Sequence, residues 1–371
     1  MADSRLPEVS GPLAGLRVVE FAGIGPGPHC AMLLADLGAD VIRIDRPGGN
    51  GWPNPVIDRG RSVISADIRT EGGLQLAMRA IVCADVVIEG FRPGVMERLG
   101  LGPEVLLERS PRLVFGRVTG WGQDGPLARC AGHDINYIAL AGALAPIGHA
   151  GEPPVPPLNL VGDFGGGSLY LAFGIMAALW ERERSGKGQV VDAAIIDGVA
   201  SMLAMFAGLT PAHRISLERG QSLLGGSAPF YRCYTCADGR DIAIGALEPK
   251  FYAELIAGLG AGDLGLDQYE CCNWSQRSEI LSAVFLTKTS REWCAIFDGS
   301  DACFAPVLTL EEAASHPHIR HRCGYHLIDG ALHNAPAPRF SRSHPSPPQE
   351  YAQRASDGLE RLTVWEASAL A

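Results

Sequence analysis

Residues 16 to 45 leave this chain little freedom in what it can fold into. Leu16-Arg-Val-Val-Glu-Phe21 is a short apolar strand pattern, Gly23-Ile-Gly25-Pro-Gly27-Pro28 breaks it, and Cys30 to Leu37 resumes with helical spacing. Gly38 ends that helix, and Val41-Ile-Arg-Ile-Asp45 is a second strand. Strand, glycine loop, helix and strand make a βαβ unit. The pattern continues, with strands over 62–67, 85–89 and 113–118, a helix over 71–82 and a short helix over 95–99. Such alternation builds a Rossmann-like α/β domain, a parallel sheet with helices on both faces. Ligands of these sheets sit at the carboxyl ends of the strands. Gly23 to Pro28, Arg46, Gly90 to Arg92 and the loop Thr119-Gly-Trp-Gly-Gln-Asp-Gly-Pro126 would gather there.

The first unit comes close to a dinucleotide fingerprint, with Asp45 near the end of the second strand. It departs in detail. Pro28 stands where a third glycine would allow tight helix–strand packing, Pro26 removes an amide that a pyrophosphate would use, and Arg46 follows Asp45 at once. The expectation is a nucleotide-binding-like unit that does not take nicotinamide.

Composition narrows the function classes. A chain of 371 residues predicts two domains, or one large domain with an excursion. A net charge of −10 argues against nucleic acid as a partner. Met1 to Ser10 lacks the basic patch and apolar core of a signal peptide, and Ser368-Ala-Leu-Ala371 is not a peroxisomal address. The apolar runs near 169–180 and 198–209 are shorter than a membrane span. A soluble cytoplasmic protein is expected, its ten cysteines reduced and mostly buried. Cys233-Tyr-Thr-Cys236 is a lone CxxC without a second ligand pair, so no metal is expected. Lysine occurs only at 187, 250 and 288, whereas arginines crowd the first hundred residues, among them Arg43, Arg46, Arg59, Arg61, Arg69, Arg92 and Arg98. The planar guanidinium fork suits phosphate, and that role is assigned to two or three of these seven. An arginine-rich codon bias would produce the same pattern.

Further along, a helix is expected over 169–184, a strand over 189–196, a long helix over 197–209 and a linker over 211–224. From Phe230 the grammar changes to a hairpin (230–235 and 240–246) and helices at 249–259, 276–286 and 290–297. From 335 the chain is rich in proline and serine and reads as an extended tail.

Between the two halves lies residues 131 to 168, with His133 near one end and Asp163 near the other, each beside glycine. Histidine is the side chain best suited to take a proton near neutral pH, and desolvation would raise an aspartate into the same role. If the helix after Asp163 begins within Gly165 to Ser168, the amides around 163–166 form an anion site suited to an enolate or a tetrahedral oxyanion. Spacing alone is equally compatible with His133 as a loop hydrogen-bonding residue and Asp163 as a helix N-cap.

Several blocks in order carry a resemblance. Gly11-Pro-Leu-Ala-Gly-Leu-Arg-Val-Val-Glu20, Gly25-Pro-Gly-Pro28, Glu89-Gly-Phe-Arg-Pro-Gly94, Val118-Thr-Gly-Trp-Gly122 and Gly186-Lys-Gly-Gln-Val-Val-Asp192 resemble the family III CoA-transferase superfamily. Ala131-Gly-His-Asp-Ile-Asn-Tyr137, Asn159-Leu-Val-Gly-Asp-Phe-Gly-Gly-Gly-Ser168 and Gly245-Ala-Leu-Glu-Pro249 resemble its α-methylacyl-CoA racemase branch. The match runs from about residue 11 to Ala335-Pro-Ala-Pro-Arg-Phe340.

The resemblance implies a racemase that inverts the α-carbon of 2-methyl-branched acyl-CoA thioesters by two-base 1,1-proton transfer. His133 and Asp163 would serve opposite faces, Glu248 would orient the histidine, and the backbone amide of Asp163, with Gly165 beside it, would hold the enolate oxygen. CoA, part of the substrate and not a cofactor, would meet Arg46, Arg69, Arg92 and Arg98, with Asp134 and Tyr137 near the pantetheine. The family forms interlocked homodimers, so Glu248 would come from the second chain. The alternative it implies is CoA transfer through Asp163 as nucleophile; those enzymes generally lack the histidine of Gly132-His133-Asp134. A non-catalytic acyl-CoA-binding relative is a third reading. The implied division is a large CoA-binding domain over 11–210, a linker over 211–229, a small α+β domain over 230–325 and a C-terminal return segment and tail over 326–371. Gly225 stands where the branch typically has an acid, which bears on specificity or interface contacts, and residues 260–275 match no family block.

Overall fold

The computed structural model describes residues 10–49, 51–262, 268–348 and 357–369. The expectations for Met1 to Val9 and for Leu370-Ala371 fall outside them. The chain divides into two compact units, one built from Met1–Ala141, Leu158–Met202 and Ala314–Ala371, the other from Gly142–Pro157 and Leu203–Ala313.

The first unit runs β1 (Arg17–Phe21), α1 (Pro26–Asp36), β2 (Asp40–Asp45), β3 (Arg61–Ser65), α2 (Glu71–Val82), β4 (Val86–Glu89), α3 (Val95–Arg98), α4 (Pro103–Arg109), β5 (Val114–Thr119) and α5 (Asp134–Leu140). A π-helix (Leu160–Leu169) follows, continued by α6 (Tyr170–Ser185), then β6 (Val190–Ala194) and α7 (Ile195–Met202). The six strands are parallel, in the order β3-β2-β1-β4-β5-β6. Val18 and Val19, Ile42, and Val86 to Ile88 are buried. Helix cover on both faces explains why these strands read as continuous apolar runs. The strand order reverses between β1 and β4, the position where such sheets open a crevice for ligands.

Four expectations about this unit are corrected. The helix after Asp163 does not start at the glycines: helical turns begin at Leu160 and stay π-helical to Leu169. The glycines serve close packing instead, since a Cβ on Gly198 of α7 would lie 2.0 Å from the Gly166 carbonyl oxygen, and one on Gly166 would lie 2.9 Å from the Ile195 carbonyl. The two helices touch backbone to backbone. Joined to α6, the segment is 26 residues long and, by length and composition alone, could cross a bilayer. One face of it, with Leu171, Ile175, Ala178 and Leu179, is nonetheless buried within the unit. The third correction concerns the tail. After the hairpin β10 (Tyr325–Ile328) and β11 (Ala331–Asn334), a helix over Gly358–Ala369 buries Leu362 and Trp365 in the core of this unit. Leu362 and Trp365 share one helical face, a short signal outweighed by the proline-rich stretch before it. Finally, the expected long helix over 197–209 breaks after Met202, and α8 spans Ala204–Leu209.

In the second unit β7 (Tyr231–Thr235) and β8 (Asp241–Gly245) form the expected hairpin, to which β9 (Phe304–Pro306) adds a third strand. Packed on it are α9 (Pro249–Leu259), α10 (Trp274–Phe285) and α11 (Ser290–Phe297), around Phe230, Tyr252, Phe285 and Trp293. The ten cysteines are free thiols, but only Cys30 and Cys236 are buried, and six are exposed. Of the exposed six, Cys130, Cys303 and Cys323 lie outside helices and strands and Cys271 and Cys272 on a short 3-10 turn, which the expectation of mostly buried thiols did not allow for.

Candidate active site

A cavity of about 710 Å³ opens at the carboxyl ends of β1 and β4. It is lined by the Gly23 to Pro28 loop, Arg46, Arg69, Phe91, Thr119, Tyr137, His133 and Asp163. The two residues singled out as bases therefore share one cavity.

Asp163 is carried in the first turn of the π-helix. Burial pushes its carboxyl above the ordinary range, opposed by the Asn159 amide (Nδ2 to Oδ2, 3.4 Å), assisted by the Asp134 charge and opposed again by His133. A carboxyl so raised is a stronger base when ionised and a usable acid when protonated. The glycine loop approaches it closely. Gly25 has φ 78°, and a Cβ there would stand 3.1 Å from Asp163 Oδ2. The positive φ favours glycine, and a Cβ there would press on the Asp163 carboxylate.

His133 is the N-cap of α5, in extended conformation (φ −133°, ψ 174°), and its residue is exposed. Its amide donates to Asn136 Oδ1 at 3.0 Å. The phenol of Tyr137 donates to the Gly132 carbonyl, and its ring meets Trp121 edge-on at 4.8 Å.

Asp134 differs from expectation. It is not part of the cavity lining; it is buried, and its Oδ1 accepts from the Asp163 amide at 2.6 Å. Burial raises its carboxyl, opposed by the amides of Asp163 and Gly162. The oxyanion assignment is corrected with it. The Asp163 amide already serves a carboxylate, the Phe164 amide bonds the Asn159 carbonyl at 3.2 Å, and Gly165 lies inside the π-helix ladder. An enolate oxygen at Asp163 would have to displace Asp134. Amides in the first turn of a helix have no intrahelical partner, and here the Asp134 carboxylate takes the one at Asp163.

The arginines sort into three groups. Arg61 pairs with Glu20 at 2.9 Å and Arg59 with Asp36 at 2.5 Å, all four side chains essentially buried, and Arg43 pairs with Asp58 and Asp45. These three are structural. Arg46 and Arg69 line the cavity; Arg46 Nε donates to the Gly49 carbonyl at 2.7 Å, and Arg69 is held against Asp67 by two bonds of 2.9 and 2.8 Å. Arg92 and Arg98 are exposed and do not line it, although Phe91, Val95 and Leu99 beside them do. Glu248 belongs to the second unit, at the N-cap of α9, and is exposed.

Sequence reasoning missed His29. Its Nδ1 lies 2.7 Å from Ser168 Oγ and its ring stacks on Phe164 at 4.4 Å, bracing the π-helix beside Asp163. Burial, then Arg59 and Arg61, lower it to about 4, so it is neutral near pH 7. Its only sequence signal was its place in the helix after the glycine loop.

The model of CoA-transferase family III matches residues 13–355. The chain belongs to that family. It is 46% identical over 334 residues to the alpha-methylacyl-CoA racemase of Mus musculus, covering 89% of this chain and 87% of that protein. To the succinyl-CoA–D-citramalate CoA-transferase of Chloroflexus aurantiacus it is 32% identical over 342 residues, covering 86% and 83%. Among solved structures, a CAIB/BAIF family protein from Brucella suis superposes with a TM-score of 0.81 at 27% identity, over 96% of this chain and 100% of that one.

Proposed function

We propose that this protein is an epimerase of 2-methyl-branched acyl-CoA thioesters. The observation that carries it is the presence of both His133 and Asp163 on one cavity, in a chain far closer to a racemase than to a transferase of the same family. Transfer through a carboxylate nucleophile needs Asp163 alone; inversion needs a proton donor and acceptor on opposite faces of one carbon. One base removes the α-proton, the charge moves onto the thioester oxygen as an enolate, and the other base returns a proton from the far side. The reaction moves only a proton and calls for no redox group. Arg46 and Arg69 are the first choices for the CoA phosphates, with Arg92 and Arg98 at the rim. The test uses one epimer of a 2-methylacyl-CoA in deuterated water without an acceptor acid. Deuterium at the α-carbon and loss of chirality are expected. Exchange that requires an added carboxylic acid and is accompanied by acyl-CoA exchange would sink the racemase reading.

The active form is proposed to be a homodimer in which Glu248 of a second copy orients His133. An apolar stripe supports this: Leu169, Phe173, Met176 and Trp180 repeat at the four-three-four spacing of a helix–helix seam and are 39–73% exposed. Phe173→Glu with Trp180→Glu is expected to shift the protein to monomer in sedimentation velocity and to abolish inversion. A variant that stays dimeric would place the interface elsewhere.

A further inference from the structure

The proposed chemistry uses His133 and Asp163 but gives no task to Asn136 on the helix that follows the histidine. Its contact is aimed at one peptide group. Asn136 Oδ1 accepts from the His133 amide at 3.0 Å, and the Tyr137 hydroxyl donates to the Gly132 carbonyl. These are the N–H and the C=O of the peptide joining Gly132 to His133. The His133 carbonyl in turn takes the amides of Asn136 at 2.8 Å and Tyr137 at 3.3 Å. The backbone on both sides of the His133 Cα is thus tied to the first turn of α5. The same turn reaches the other base, because Asp134, only 8% exposed, accepts from the Asp163 amide at 2.6 Å.

We propose that Asn136 is a positioning residue that, with Asp134 and Tyr137, makes the first turn of α5 a rigid spacer between the two bases. The inference rests on the two-base reading. His133 is exposed and follows the loop Cys130-Ala131-Gly132, and the contacts that hold it are those of the capping box it forms with Asn136 at the start of α5. Two-base inversion needs the imidazole at a set distance from the substrate carbon, since a base displaced by an ångström loses alignment with the C–H bond.

The test follows inversion and α-deuterium uptake separately, starting from each epimer of a 2-methylacyl-CoA, in the full-length protein and in Asn136→Ala and Asn136→Asp. For Asn136→Ala, kcat for inversion is expected to fall by about 10-fold or more, with KM within about twofold, as displacement of one base predicts. The epimer whose α-proton faces Asp163 should still exchange deuterium without inverting. Asn136→Asp, which restores the acceptor, should recover inversion to within about threefold of the unaltered protein. Unchanged inversion in Asn136→Ala, a parallel loss of inversion and exchange from both epimers, or an aspartate variant no better than alanine would each overturn the spacer. If the unaltered protein exchanges neither epimer, the racemase reading fails first, and that is seen before any variant is made.

Discussion

His133→Ala is expected to reduce inversion by roughly 10²–10⁴-fold while one face of the substrate keeps exchanging its α-proton. A factor of that size corresponds to about 2.7–5.5 kcal/mol of transition-state stabilisation, the ordinary worth of one positioned base. The side chain is exposed and makes no core contact, so the variant should fold. Asp163→Asn should give the mirror result, with exchange confined to the opposite epimer. In the His133→Ala protein the surviving exchange depends on Asp163 alone. Burial raises that carboxyl, and a base must be unprotonated to act. Exchange should therefore fall as pH drops through a value above the usual carboxylate range, and stay level above it. Exchange from both epimers surviving in either variant would put a base elsewhere, and a limb at the ordinary carboxylate value would mean that Asp163 is solvated during turnover.

The parts of this site that were legible in the chain are those carried by local pattern. The βαβ alternation, the glycine breaks and the apolar runs place the cavity at the ends of β1 and β4, because a parallel sheet admits few topologies. What could not be read is whatever depends on partners distant in sequence. Arg61 and Arg46 look alike as members of an arginine-rich stretch, yet Arg61 is committed to Glu20, forty-one positions away, and Arg46 is free to line the cavity. Gly165 to Gly167 signalled a change of backbone but not its kind. The π-helix depends on the glycine face of α7, and Gly198 gave no hint of meeting Gly166. Asp134 illustrates the same limit: the resemblance marked it as a site residue, while its bond to the Asp163 amide spans twenty-nine positions and has no local signal.

Arg61→Met is expected to destabilise the first unit by about 3–5 kcal/mol, the cost of leaving one partner of a buried ion pair alone. Both side chains are fully buried, with Arg61 Nε 2.9 Å from Glu20 Oε2. Arg61 also donates to the carbonyls of Arg59 at 2.7 Å, of Ile57 and of Pro28. Its loss would free the end of the glycine loop and leave the buried Glu20 carboxylate without its bonded partner, with the Arg43 charge still acting on it. Replacing both partners, Glu20→Leu with Arg61→Met, removes the stranded charge and should recover much of the loss. Denaturant unfolding of the two variants checks this. A double variant as unstable as the single one would mean that the carbonyl contacts and not the ion pair hold this part of the fold.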